Sequence, residues 1–133
     1  KERLRLSLGL FWFMAKLLTI GKTNTDNSGI LYVLVVRLDC GTEVYKVGVT
    51  KRKIEERVAE ILTSFWLSYR YFPYCYPKRF KSTEEVYSKE AKMHKELEEF
   101  SYKFDKRFGG HTEFFSGVEL EKILEIYENT IRF

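Results

Sequence analysis

Two apolar runs joined by a short turn constrain this chain more than any other feature. Residues 30–38 are dense in Val, Leu and Tyr, Asp39-Cys40-Gly41 supplies a turn, and residues 42–49 return as Thr-Glu-Val-Tyr-Lys-Val-Gly-Val. β-Branched and aromatic residues favour a pleated, half-buried surface, and a Gly-containing turn between two such runs fixes their pairing. The chain is therefore built on an antiparallel hairpin.

The segments after the hairpin decide how it is covered. From Arg52 onward, Ile54, Val58, Ile61, Leu62 and Phe65 fall at i, i+4, i+7, i+8 and i+11, one face of a helix. Residues 67–76 are aromatic and partly alternating and are predicted as a third strand, which Pro73 and Pro77 place at an edge or end early. Ser82 with Glu85, and Ser116 with Glu119, have the spacing of capping boxes, opening helices that run to Phe100 and Ile131. With an apolar helix ahead of the hairpin, the expected order is α, β, β, α, β, α, α. The expected class is α/β, in its α+β form: a small, three-stranded, mostly antiparallel sheet flanked by helices.

With 133 residues, the chain can close one core but not two ordinary ones. The polar run 22–28 separates an amphipathic N-terminal segment, residues 1–28, from a domain over residues 29–133. Residues 6–20 are apolar but interrupted by Lys16 and short of the roughly 20 residues a membrane span needs, so no membrane association is expected. Lys1, Arg3 and Arg5 ahead of this run imitate a signal peptide, but no small-residue cleavage site comes after it. The chain begins at Lys1 and not at a methionine, as a fragment or processed product would. Residues 11–18 are apolar almost all round and need burial against the sheet, a second copy or a partner chain. The two cysteines, Cys40 and Cys75, provide no thiolate zinc site and suit a reducing compartment: the cytoplasm or the interior of a host cell, the nucleus if the source is eukaryotic. Lys and Arg number 23 against 19 Asp and Glu, a net charge of +4, which suits a nucleic-acid partner without demanding one.

The second helix holds the most informative anomaly. Val86, Met93, Leu97 and Phe100 form one apolar stripe, yet Glu90 lies inside it and His94 on its border. A carboxylate among core residues costs several kcal/mol unless it is paired or binds a cation. Two readings stand: a buried ion pair with an arginine, or a metal ligand. Arg57 lies beside Val58 on the first helix, so its stem can cover apolar surface while the guanidinium either snorkels to water or offers a bidentate fork to a phosphate.

Placed together, these residues bring a known family into view. Ile30-Leu31-Tyr32 with Val33-Leu34, then Lys46-Val47-Gly48-Val49-Thr50, then Arg57, resemble the GIY-YIG nuclease signature with its downstream helical arginine. Glu90-Ala91-Lys92-Met93-His94, then Arg107 and Glu113-Phe114-Phe115, resemble the motifs of a subgroup found in phage proteins and in a fungal meiotically up-regulated protein. The resemblance runs from Gly29 to about Gly117.

The resemblance implies a metal-dependent endonuclease acting on nucleic acid, DNA before RNA. Tyr32 would position or deprotonate the attacking water, Arg57 would bind the scissile phosphate, and Glu90 would hold one Mg²⁺ (or Mn²⁺). The types suit the chemistry, because phosphodiester cleavage builds charge that a guanidinium and a metal neutralise, and hard Mg²⁺ is content with one carboxylate and waters. Lys46 stands where the family signature usually has tyrosine, and is a candidate general base, a phosphate contact or a solvated strand lysine. One turn beyond Arg57, where relatives carry histidine or tyrosine, this chain has Ile61. Proton transfer thus falls to Tyr32, Lys46 or His94. Glu113 is a candidate partner of Arg57, Arg107 or Lys46, or a substrate-side residue, while Arg107 and His111 flank glycines in a stretch read as flexible. Arg70 and Lys78, among the aromatics of residues 65–76, are candidate phosphate contacts beside rings that stack on bases or fill the core. Two other classes remain: a non-catalytic nucleic-acid-binding module with the same fold, and a structural or interaction domain. No reading head is recognisable, so low sequence specificity is expected.

Overall fold

The hairpin forms, and in the computed structural model, which describes residues 27–132, it lies at the centre of a four-stranded antiparallel sheet. β1 (Gly29–Arg37) pairs with β2 (Glu43–Thr50) in an unbroken register from Arg37↔Glu43 to Ile30↔Thr50. The turn closes through Gly41 N–H to the Leu38 carbonyl (2.9 Å), with Gly41 at φ 90°, where a side chain would be strained. Helix α1 (Ile54–Tyr69) comes next, then β3 (Tyr74–Thr83), α2 (Val86–Glu96), β4 (Phe114–Phe115) and α3 (Leu120–Ile131), with strand order β3-β1-β2-β4.

Four sequence-based expectations are corrected. The third strand begins at Tyr74, not residue 67, because α1 continues: Phe65 and Tyr69 sit one turn apart and stack at 4.6 Å on the helix face. Arg70 then ends the helix in the left-handed conformation, its N–H bonded to the Trp66 carbonyl at 2.7 Å. β3 is an edge strand, as Pro77 suggested, and it bulges at Lys78, the extra residue between the pairs Val33↔Arg79 and Leu34↔Pro77. The sheet also has a fourth strand. β4 has only two residues, paired with Tyr45 and Lys46, too few to show a period in the sequence. Neither capping box forms. Ser82 stays in β3 opposite Ile30, Glu85 precedes α2 in the left-handed region, and Glu119 caps α3 without a side-chain bond. α2 ends at Glu96, and a 3₁₀ turn, Glu98–Phe100, carries the chain on. The expected N-terminal helix, and all of residues 1–26, lie outside the described residues.

β1 is buried on both faces, and its alternation sorts the core. Tyr32, Leu34 and Val36, with Val44 of β2, face Ile54, Ile61 and Phe65 of α1 and Phe108 and Phe114 from the chain between α2 and α3. Leu31, Val33 and Val35, with Val47, face Val86 and Met93 of α2, then Leu97, Phe115 and Ile123 and Tyr127 of α3. Each such aliphatic side chain contributes about 1.5–3 kcal/mol when fully buried. The Tyr127 hydroxyl donates to the Leu31 carbonyl at 2.6 Å, fastening α3 to the central strand. Among the described residues, no helix is long and apolar enough to cross a membrane.

Candidate active site

The side chain of Tyr32 sits in the middle of β1, on the α1 face, and is fully buried. Its cross-strand partner is Gly48, and a Cβ there would stand 2.5 Å from the Tyr32 hydroxyl and 2.7 Å from its Cζ. Because the ring is packed on every side it has nowhere to retreat, so only glycine lets the phenol lie across β2. The reason is steric, and it explains why this strand carries a glycine at its centre.

Lying over that phenol, α1 brings Arg57 in its first turn. Arg57 Nε donates to the Tyr32 hydroxyl at 3.2 Å, and Nη1 lies 3.4 Å from Oε1 of Glu60, three residues on. Burial works against the guanidinium's charge, but the Tyr32 and Glu60 oxygens outweigh it and the net effect raises its pKa. Nη2 has no partner among the described residues, which leaves a donor for a ligand.

Lys46 is opposite Leu34, two residues from Gly48 on the same face of β2, and is completely buried. Its Nζ pairs with Glu113 Oε1 and lies 5.7 and 5.6 Å from the ring centres of Tyr32 and Phe114. β4 makes this possible, since pairing Phe114 with Lys46 sets Glu113 beside the ammonium. Gly110 completes the seat: at φ 77°, it would carry a Cβ 2.8 Å from Nζ. In stretch 107–112, Phe108 is buried and His111 Nδ1 lies 2.9 Å from the Phe108 carbonyl.

Glu90 and His94 come from α2. The Glu90 side chain is 16% exposed, and burial first, then the charge of Glu113, raises its pKa above the ordinary 4.5 against the opposing pull of His94, Lys46 and Arg57. These neighbours show the convergence: residues from α1, α2, β2 and the approach to β4 act on one carboxylate. His94 Nε2 lies 4.0 Å from Glu90 and 2.7 Å from the Val47 carbonyl. A carbonyl only accepts, so Nε2 carries a proton and donates it to the backbone. His94 thereby pins α2 to β2 and lines a cleft of about 330 Å³ with Lys95, Glu98, Ser101, Thr112 and Phe115.

The remaining candidates lie apart. Arg70 is at the far end of α1, thirteen residues from Arg57 or about 20 Å along the axis, with its guanidinium 4.9 Å over Trp66. Arg107 is exposed, and its carbonyl accepts from the Ser68 hydroxyl at 2.6 Å. Lys78 is exposed at the bulge of edge strand β3.

A family model now adds what geometry alone does not. The T5orf172 domain model matches residues 29–131. This chain belongs to the T5orf172 domain family. No curated protein and no solved structure matches it. In this T5orf172 domain, the matched span contains every element of the sheet and all six clustered residues, Tyr32, Lys46, Arg57, Glu90, His94 and Glu113. Glu60 and Arg52, which joins it through Nη2, are the polar residues that sequence reasoning missed. The available signal was the i, i+3 spacing of Arg57 and Glu60 on a helix.

A hard cation fits the donor set. Among the described residues no cluster of three or more metal-ligating side chains occurs, so any site here offers few protein ligands. Glu113 is committed to Lys46 and Glu60 to arginine, whereas Glu90 is a half-buried carboxylate whose charge is disfavoured by its surroundings. One carboxylate with room for waters is what Mg²⁺ or Mn²⁺ accepts.

Proposed function

We propose that this T5orf172 domain is a GIY-YIG-like endonuclease that hydrolyses nucleic-acid phosphodiester bonds, DNA in the first place. The observation that carries the reading is the bond from Arg57 to the Tyr32 hydroxyl near the largely buried carboxylate of Glu90. Nothing in core packing requires a phenol, a guanidinium and a carboxylate to meet at the central strands of a sheet. Phosphoryl transfer does.

In this reading Arg57 uses Nη2 to hold the scissile phosphate while its Nε stays on Tyr32. The bond donated to the Tyr32 oxygen fixes the phenol beside the phosphate, and as the phenolate Tyr32 would take the proton of the attacking water and afterwards return it to solvent. Water forms the new P–O bond as the bond to the departing sugar oxygen breaks, and that oxygen takes its proton from solvent. Glu90 would hold Mg²⁺ or Mn²⁺, which supplies Lewis-acid neutralisation of the phosphate charge. Lys46 is sealed by Glu113, so it contributes a fixed positive charge under the site and leaves proton transfer to Tyr32. His94 keeps α2, and so Glu90, in place through Val47.

A supercoiled-plasmid nicking assay tests this. Wild type should nick with Mg²⁺ or Mn²⁺ and not with chelator, and Glu90→Gln and Arg57→Ala should each lose on the order of 100-fold or more. Wild type that binds DNA yet never nicks it with either metal would leave only a binding module.

A further inference from the structure

The cleft that His94 lines takes no part in the chemistry above, yet it borders the site on two sides. Its volume is about 330 Å³, and its lining comes from α2 (His94 and Lys95), the 3₁₀ turn behind it (Glu98), Ser101, and the approach to and end of β4 (Thr112 and Phe115). Backbone bonds fix these walls to each other, Tyr102 N–H to the Phe114 carbonyl and Ser116 N–H to the Phe100 carbonyl, each at 2.8 Å. His94 is one helical turn from Glu90, and Thr112 immediately precedes Glu113. A molecule in the cleft would therefore lie beside both carboxylates.

The chemistry of the lining decides what that molecule is. Lys95 and Glu98 carry opposite charges that cancel, so the cleft has little with which to hold a phosphate. It offers instead two rings, His94 and Phe115, with centres 5.6 Å apart, and polar groups that both donate and accept. The Lys95 ammonium, the Glu98 carboxylate and the hydroxyls of Ser101 and Thr112 make no hydrogen bond or ion pair among the described residues. Nε2 of His94 is committed to the Val47 carbonyl, so in the neutral ring Nδ1 is a further acceptor, again with no partner among the described residues. Rings beside unused donors and acceptors match a flat heteroaromatic with polar groups along its edge. The volume is at the small end of ligand sites, which run from about 300 to 1,000 Å³, and suits one base better than a base pair.

We propose that this cleft receives one unpaired nucleobase of the strand being cut, close to the scissile phosphate, and that Glu98 favours a base with an exocyclic amine. This rests on the nucleic-acid reading above and adds a base subsite to it. A base inside a duplex is stacked and out of reach, so the nucleotide must be extruded, which costs least where it is already unpaired. Glu98 accepts from the N4 amine of cytosine, where thymine presents a carbonyl oxygen that a carboxylate repels.

The test compares affinities, in chelator so that nothing is cleaved, for three duplexes that differ only in a single-nucleotide bulge: cytosine, thymine or an abasic residue. All three carry the same phosphates, so ratios between them cancel the salt-dependent contribution of the backbone. The proteins are wild type, Glu98→Gln, two cleft-filling variants, Ser101→Leu and Thr112→Tyr, and Glu125→Gln, an exposed residue of α3, as a control of equal charge change. Wild type should bind the cytosine bulge about ten-fold more tightly than the abasic one, with thymine between them. Each filled variant should bring the cytosine-to-abasic ratio near one while binding the abasic duplex as wild type does, which also shows that it is folded. Glu98→Gln should erase the preference for cytosine over thymine, and Glu125→Gln should leave both ratios unchanged. Equal wild-type affinity for the cytosine and abasic bulges, or a wild-type ratio in the filled variants, would overturn the base subsite while leaving nucleic-acid binding intact. A cytosine-to-thymine ratio that survives Glu98→Gln would overturn the role of Glu98. Wild type without salt-dependent binding to any of the duplexes would overturn the nucleic-acid reading and the subsite together.

Discussion

A carboxylate set among apolar neighbours on α2 prefers to keep its proton, and Glu90 shows how a single residue can serve a site at the expense of its fold. Burial and the charge of Glu113 raise its pKa above 4.5. Between the ordinary value and the raised one, the folded chain binds a proton that the unfolded chain has released. Stability therefore falls as pH rises through that window and stays lower above it. Glu90→Gln removes the penalty. Without metal at neutral pH, the variant should melt higher than wild type, and its Tm should vary less with pH. A variant melting at or below wild type throughout would show that Glu90 is an ordinary satisfied ion pair. This residue was legible in the sequence because it breaks an apolar stripe, as was Arg57. Glu60 was not, since a glutamate three residues from an arginine on a helix reads as a solvated pair until its burial is seen. Gly48 was half legible: the glycine was visible in the hairpin, but its cause depends on which ring lies opposite.

At the scale of elements, long periodic segments carried their own signal and short or strained ones did not. The hairpin, α1 and α3 arise from patterns of two and of 3.6 residues. The end of α1 was misread because Phe65, Trp66 and Tyr69 suit a strand as well as a helix, and only the stacking of Phe65 on Tyr69 decides between them. β4 is legible only once Lys46 needs a carboxylate and a strand edge needs a partner. The start of α2 was misread differently. Ser82 is retained by the β1 ladder, so the helix opens from Glu85 at φ 55°, exposed and without a side-chain cap bond. A non-glycine residue in the left-handed region costs about 1 kcal/mol. Glu85→Gly should therefore stabilise the domain by about 0.5–1 kcal/mol, offset in part by lost charge at a helix N-terminus. Urea unfolding at constant m-value would measure it. A destabilised variant would mean that the Glu85 side chain does more at this junction than its lack of a cap bond indicates.

For the whole molecule, the site exists only when three distant parts of the chain meet. Arg57 arrives on α1 over one face of the sheet, Glu90 on α2 from the elements packed on the other, and Glu113 on the turn that leads into β4. The unfolded chain scatters these groups, so an ion held by Glu90 binds the folded state and not the unfolded one. Binding must then appear as stability, by RT ln(1 + [L]/Kd). A single carboxylate with waters is a weak site, and for a Kd near 1 mM, about 10 mM Mg²⁺ contributes ~1.4 kcal/mol. That should raise the Tm of wild type by several degrees in a calorimetric scan, relative to NaCl of equal ionic strength, and leave Glu90→Gln unmoved. The readout needs no substrate and no turnover, so it tests the cation site even in a domain that only binds nucleic acid. Equal shifts in both proteins would place the ion away from Glu90. With no shift in either, Glu90 would remain a buried acid whose cost to the fold has no cation to answer for it.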